Sequence, residues 1–302
     1  MFLSICLNPV LQKTIVLNDI INNQVNRSNE YYFDIAGKGI NVARILSQLK
    51  ANVSCITQTG GNLRKTFNSL AKNDNFKLIN IDSKSSVRFC YTLINKNDNS
   101  VSEIVENGEK IDESTETSVL NNFNKLILKN KYLIISGTKA PGYKSNTYIN
   151  MIKIAKENNK KIILDFRGKD LINCLKFKPD FIKPNYREFC STFFPNEKSF
   201  ENKINKKIHL EVKKKMLELF NKYNINTILT NGKEEILYTS GNKINIYKPK
   251  IIVPKNTIGS GDAFTAGFIY KLNETQNIHK SIIFGSSCAK KNALLIRPGT
   301  IK

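Results

Sequence analysis

Short apolar runs separated by longer amphipathic stretches constrain this chain more than any other feature. Leu3–Leu7, Val53–Thr57, Tyr132–Ile135, Ile162–Asp165, Phe181–Lys183 and Thr227–Thr230 have the length and composition of buried strands. Ile40–Leu49 and Tyr148–Glu157 carry helical periodicity, the second placing Ile149, Ile152 and Ala155 on one side. Strands alternating with helices predict βαβ units and a largely parallel sheet. With 302 residues the chain can bury one large α/β core or two ordinary ones, and no Pro/Gly/Ser linker or internal repeat divides it.

Two regions break the alternation. Lys13–Phe33 carries short segments and Asn-rich turns, and Val87–Ile94 and Val101–Val105 flank a polar turn at Asn95–Ser100. These predict a small separate sheet over one edge of the main domain, either a lid or a decorative hairpin.

Composition narrows the function. The net charge is +22, from 47 Lys and Arg against 25 Asp and Glu. Such a charge attracts polyanions, but the excess is scattered lysine without the clustered arginines and aromatics of a nucleic-acid stripe. The densest run, Lys206-Lys207 through Lys213-Lys214-Lys215, fits the wet face of a helix whose inner face is Ile208, Val212, Met216 and Leu219. Specific nucleic-acid binding is therefore not expected. No stretch approaches 18 apolar residues, so no transmembrane helix is expected. The apolar N-terminus lacks a basic n-region and a cleavage site, and reads as a buried first strand of a cytoplasmic protein. Six cysteines without a C-x-x-C pair read as free, mostly buried thiols. His209 and His279 lie apart in polar stretches, which argues against a His metal site or His catalysis.

The chemistry concentrates in two glycine-rich turns. In Asn256-Thr257-Ile258-Gly259-Ser260-Gly261-Asp262-Ala263-Phe264, Gly259 and Gly261 let backbone N–H groups converge at the start of a helix, a natural anion site. Asp262 at its mouth has two readings: a base for an attacking hydroxyl, or a helix cap. Ala36-Gly37-Lys38-Gly39-Ile40-Asn41-Val42-Ala43-Arg44 is a second turn entering a helix, without the G-x-x-x-x-G-K-[ST] of a Walker loop. Its glycines, amine and amide suit a polyhydroxy or phosphorylated ligand, or form a plain turn.

Together these segments resemble the two signatures of the PfkB carbohydrate kinases, the first over Ala36 to Gly60 and the second over Asn256 to Ile269. Asn8-Pro9, Ser136-Gly137-Thr138-Lys139-Ala140-Pro141-Gly142, Lys183-Pro184-Asn185-Tyr186-Arg187-Glu188, Thr230-Asn231-Gly232 and Pro298-Gly299-Thr300 match further landmarks, so the resemblance spans nearly the whole chain. It implies a ribokinase-like three-layer αβα sandwich with a mostly parallel sheet. Residues 1–302 would form one kinase domain, with β lid strands within 12–34 and 87–106. It implies ATP and Mg²⁺ as cofactors, Asp262 as catalytic base, and Gly259, Ser260 and Gly261 as the anion hole. Lys183, Asn185, Thr230, Gly232, Asn256 and Gly261 would line the ATP site. Glu188 would act on Mg²⁺, through water, although N-x-x-E is also an ordinary helix start.

Gly37-Lys38-Gly39-Ile40-Asn41-Val42-Ala43-Arg44 resembles the family's sugar-phosphate branch, typified by 1-phosphofructokinase and tagatose-6-phosphate kinase. The acceptor would then be a ketohexose phosphate, held by Asn8, Gln12, Arg27, Gly37, Lys38, Asn41, Arg88 and Lys139. Arg88 and Arg27 are the bidentate phosphate ligands in this reading. Three departures bear on it. Gln12 stands where the branch has Asp, which opens the acceptor's identity. Lys50 stands where the signature has Gly or Ser, which predicts only a local change. Asp165-Phe166-Arg167-Gly168 replaces D-T-S-G, leaving Arg167 as a phosphate contact or a structural pair. The alternatives are a kinase of an unphosphorylated sugar or nucleoside, and a nucleotide-binding regulator without catalysis. A homodimer joined through the lid is a further expectation from the resemblance.

Overall fold

The computed structural model describes residues 1–195 and 206–302. A nine-stranded sheet forms the centre. Its strands are β1 (Phe2–Cys6), β4 (Val53–Gly60), β5 (Lys77–Ser83), β8 (Tyr132–Ser136), β9 (Lys161–Asp165), β10 (Phe181–Ile182), β11 (Asn226–Leu229), β12 (Ile236–Thr239) and β13 (Ile244–Tyr247). Their order is β13-β12-β11-β10-β9-β8-β1-β4-β5, parallel from β11 to β5 and antiparallel at the β12–β13 edge. Six strands predicted from apolar runs are present. The edge strands β5 and β13 escape that reading because polar residues interrupt them, and β12 because it is only four residues long.

Helices cover both faces, because each inner strand is apolar on both sides. In β1, Leu3 and Ile5 face one core, where Val119, Phe123 and Ile127 of α3 (Glu113–Ile127) pack with α4 (Thr147–Glu157), α5 (Lys169–Leu175), α6 (Tyr186–Phe193) and α7 (Lys206–Tyr223). Phe2 and Cys6 face the other core, formed by α1 (Lys38–Gln48), α2 (Arg64–Ala71), α8 (Ser260–Thr275) and α9 (Ile278–Ala293). On α7, Ile208, Val212, Met216 and Leu219 are buried as expected, while Lys214 and Lys215 pair with Glu211 and Glu218. All six cysteines are free and buried.

A second sheet of four strands, ordered β3-β2-β6-β7, contains β2 (Val10–Leu17), β3 (Glu30–Ala36), β6 (Arg88–Asn95) and β7 (Val101–Val105). One half is inserted between β1 and α1, the other between β5 and α3. β2 runs parallel to β6, with Gln12 beside Cys90. Strand order reverses between β1 and β8, so a crevice opens at the carboxyl ends of the strands, and the small sheet stands over it. Among the described residues no helix is long and apolar enough to cross a membrane.

Candidate active site

The crevice is a cleft of about 490 Å³. It draws Asn8 from beyond β1, Thr138 from beyond β8, Asp165 and Arg167 from β9 and its exit, Lys183 from beyond β10, and Thr230 from beyond β11. The lid supplies Val10, Gln12, Arg88, Cys90, Glu103 and Val105, and the two glycine-rich turns close the remaining sides.

The second turn leads into α8. Gly259 is its N-cap at φ 79°, and a β-carbon there would lie 2.4 Å from the backbone nitrogen of Gly299, so only glycine fits. The first-turn N–H groups of α8 have no helical acceptor and, with the helix dipole, favour an anion. Asp262 lies in that turn, but its side chain caps nothing. Its Oδ2 instead accepts from Asn41 Nδ2 at 2.8 Å. Burial, reinforced by the charge of Asp165, pushes Asp262 up to about 7, against the pull of Lys38, Asn41 and Lys183. The capping alternative is thereby set aside. A carboxylate held near neutral pH is matched to proton transfer.

Asn41 is oriented from behind. Arg44 Nη1 donates to Asn41 Oδ1 at 3.1 Å, which turns the Asn41 amino group toward Asp262. Arg44 is itself buried. Its Nε donates to both oxygens of Asp74 at 2.8 Å, and its Nη2 to the carbonyl of Ile35 on β3. On the facing side, Gly39 lets α1 approach β1, since a β-carbon would lie 2.3 Å from the carbonyl oxygen of Ile5.

A charge cluster lies across the cleft. Asp165 is almost fully buried, with Lys183 Nζ 3.2 Å and Lys38 Nζ 3.7 Å away, and it accepts from Thr265 Oγ1 at 2.7 Å. Burial opposes its charge, but Lys183 and Lys38 prevail and hold Asp165 below the usual carboxylate range. Lys38 Nζ also lies 3.4 Å from Glu188 Oε1. Burial would lower the Lys38 pKa, yet Asp165, Glu188 and Asp262 raise it, so it stays an ammonium. Asn185 and Glu188 form a capping box at α6, so the ordinary helix-start reading of N-x-x-E holds, while Glu188 Oε1 also faces Lys38. Asp165 was missed from sequence; its signal is a carboxylate closing an apolar strand at the ligand-facing edge.

For a nucleotide-bound Mg²⁺, Asp165 and Glu188 are the carboxylates at hand. Asp165 Oδ1 is buried and makes no hydrogen bond. No group of three His, Cys, Asp or Glu among the described residues could hold a metal alone. The residues therefore fit an ion held largely by phosphate and water, as Mg²⁺ prefers.

On the lid, Arg88 Nη1 donates to the carbonyl of Glu106 at 2.8 Å and Nη2 to that of Asn8 at 3.2 Å, while its buried Nε has no partner. Burial lowers its pKa. Arg88 forms no salt bridge among the described residues and faces the cleft. Gln12 is buried and donates to Thr92 Oγ1 at 2.6 Å.

Several predicted site residues lie outside the cleft lining. Lys139 does not reach the cleft: its ammonium is bound by Asp170 at 2.9 Å and lies over the Tyr148 ring. Asn256 is buried, and its amide spans the carbonyl of Ile296 and the N–H of Ile258, so it shapes the loop before α8. Gly232 lies in the β11–β12 turn at φ 57°, outside the cleft lining. Arg27 is exposed in the β2–β3 loop, also outside the lining. Ser260 contributes backbone to the helix start, while its hydroxyl accepts from Asn292. Arg167 lines the cleft and forms no salt bridge among the described residues, so the structural-pair reading finds no partner.

A lidded αβα domain with a carboxylate poised near neutrality at a helix N-terminus, facing a cluster of cations, has the organisation of a small-molecule phosphotransferase. The chain belongs to the pfkB family of carbohydrate kinases, whose profile matches residues 7–295. It is 27% identical to 1-phosphofructokinase of Borreliella burgdorferi, across 97% of this chain and 92% of that protein. It is also 27% identical to D-tagatose-1-phosphate kinase of Bacillus licheniformis, across 88% and 83% of the two chains. The fold is shared with a possible 1-phosphofructokinase of Thermotoga maritima, at TM-score 0.87 and 19% identity over 98% and 93% of the chains. It is shared too with Escherichia coli phosphofructokinase-2 solved with fructose-6-phosphate, at TM-score 0.82 and 20% identity over 97% and 93%. The ribokinase-like sandwich and lid are as expected from the sequence.

Proposed function

We propose that this kinase transfers the γ-phosphoryl group of ATP to a hydroxyl of a ketohexose phosphate. The observation that carries this reading is a guanidinium without a carboxylate partner, Arg88, in the same cleft as a base held near neutrality, Asp262. A cation left uncompensated in a half-buried site is a receptor for an anion, and a planar guanidinium suits phosphate.

In this mechanism Asp262 takes the proton of the attacking hydroxyl, with Asn41 holding its Oδ2 in place. Backbone N–H groups at Gly259–Gly261 and the ammonium of Lys38 face the charge that spreads over the phosphoryl oxygens. Lys183 keeps Asp165 ionised. Asp165 and Glu188 would hold a nucleotide-bound Mg²⁺, which would neutralise phosphate charge. Asn185 and Thr230, joined by a β-bridge, flank the nucleotide side. Asn8, Gly37 and Gln12 flank the acceptor, and the lid excludes water.

The names of the curated relatives support a phosphorylated ketohexose without choosing between fructose 1-phosphate and a tagatose phosphate. The outer lid face carries Phe33, Phe89, Tyr91 and the exposed Ile104, an apolar surface suited to pairing two lids in a homodimer, which sedimentation velocity tests.

The functional test is ADP release with Mg-ATP against fructose 1-phosphate, fructose 6-phosphate, tagatose 1-phosphate, tagatose 6-phosphate, fructose and ribose. One phosphorylated ketohexose is expected to exceed the free sugars by orders of magnitude, and Arg88→Ala to abolish that preference. Turnover of a free sugar that survives Arg88→Ala overturns the sugar-phosphate reading.

A further inference from the structure

The concave face of the lid carries a polar row that the mechanism leaves unused. Glu103 on β7 lies opposite Thr92 on β6, and Thr92 beside Thr14 on β2. Gln12 is tied to Thr92, and Cys90 Sγ lies 3.6 Å from Glu103 Oε1. The Thr14 hydroxyl is buried without a partner.

Glu103 differs from the other carboxylates of this sheet. Glu30 pairs with Lys96, Asp34 with Arg297, and Glu106 accepts from the N–H of Phe89. Glu103 has no salt bridge among the described residues, and its one hydrogen-bonding neighbour is a thiol, a weak donor. It is also the one carboxylate among the lid residues lining the cleft. An ionised carboxylate only accepts hydrogen bonds, so a ligand that completes it must bring donors. The cleft already supplies cations at Arg88 and Lys38, so the complementary ligand is an anion at one end and a hydroxyl donor at the other.

We infer that Glu103 is a specificity-determining residue that accepts hydrogen bonds from the hydroxyls of a polyhydroxy phosphate whose phosphate lies toward Arg88. Gln12, neutral and already bound to Thr92, lines the same cleft from β2, on the far side of β6. The inference rests on the phosphotransferase reading and deepens it: the acceptor is chosen by its hydroxyls through β7 and by its phosphate through β6. Glu103 is exposed to the open cleft, and partial desolvation against the lid raises its pKa.

The test compares wild type, Glu103→Gln and Glu103→Asp in steady-state kinetics with Mg-ATP and the best acceptor of the panel above, plus analogues lacking single hydroxyls. Glu103→Gln is expected to raise the acceptor KM about 10- to 100-fold, the loss of one or two charge-assisted hydrogen bonds. The KM for ATP and the melting temperature should stay unchanged. Glu103→Asp should recover part of the loss, and one deoxy analogue should lose its disadvantage in Glu103→Gln. An unchanged acceptor KM, or equal changes in the KM of acceptor and ATP, overturns the inference while leaving the kinase reading standing. If the best acceptor is a free sugar, the sugar-phosphate reading and the Arg88 half of this inference fall, and the same comparison decides the hydroxyl half. If nothing on the panel is turned over or bound, both fall.

Discussion

Asp262 concentrates the residue-scale argument. A base whose pKa is about 7 is half protonated at neutrality, so kcat/KM should fall on the acid side with a midpoint near 7. A pH–rate profile that stays flat down to pH 5 removes Asp262 from that role. Asp262→Asn should lower turnover about 10²–10⁴-fold. Stability should move the other way. The folded pKa lies above the ordinary 3.8, so the native state holds the extra proton between those values. The proton's stabilising contribution is fully present below pH 4 and is lost as pH rises through 7. Asp262→Asn, which never ionises, should therefore melt no lower than wild type at pH 8, with the difference shrinking toward pH 5. The place of Asp262 at a helix mouth could be read from the two glycines before it, and its role as base only from the family resemblance. That of Asp165 could not, because nothing in Ile162-Ile163-Leu164-Asp165 shows that two lysines distant in sequence converge on it.

At the scale of elements, α1 illustrates a rule read too lightly. Lysine at position 50 suits the helix dipole, but the structure shows the larger effect. After α1 the N–H of Ala51 bonds to the carbonyl of Leu46 and that of Lys50 to Ser47, and Lys50 lies at φ 63°. This is the αL position of a Schellman closure, where glycine is preferred. Lys50→Gly should therefore raise the unfolding free energy by about 0.5–1 kcal/mol in denaturant titration, with activity unchanged. Inner strands were legible because burial on both faces makes them continuously apolar. The lid strands were legible as extended segments, but their pairing was not. Which face of Val101–Val105 turns inward depends on the β6–β7 register, so Glu103 had no signal in sequence. Lys139 misled for a related reason: its motif resembles a ligand loop, while its ammonium is claimed by Asp170 from α5.

For the whole molecule, Arg44 does the joining. One buried guanidinium ties α1 to Asp74 beyond α2, to Ile35 on the lid and to the carbonyl of Gly299. Arg297 adds a second tie from the segment after α9 to Asp34 and Asp74. Replacing Arg44 by Met leaves Asp74 buried with one distant partner. The expected loss is on the order of 3–5 kcal/mol, read as a lower denaturant midpoint. Arg44→Lys should not restore it, since an ammonium cannot span the same acceptors. A preserved midpoint in Arg44→Met would show that the tie is not needed for stability.

The lid enters the chain as two insertions, residues 10–36 and 88–105, neither of which adds a strand to the central sheet. Selection can therefore redraw the acceptor side of the cleft while the sheet that carries Asp165 and Lys183 keeps its register. A family built this way diversifies as a toolmaker does, by changing the jaw and keeping the handle. Transplanting these two segments between relatives is the shortest route by which a new sugar could be recruited to an unchanged phosphoryl donor.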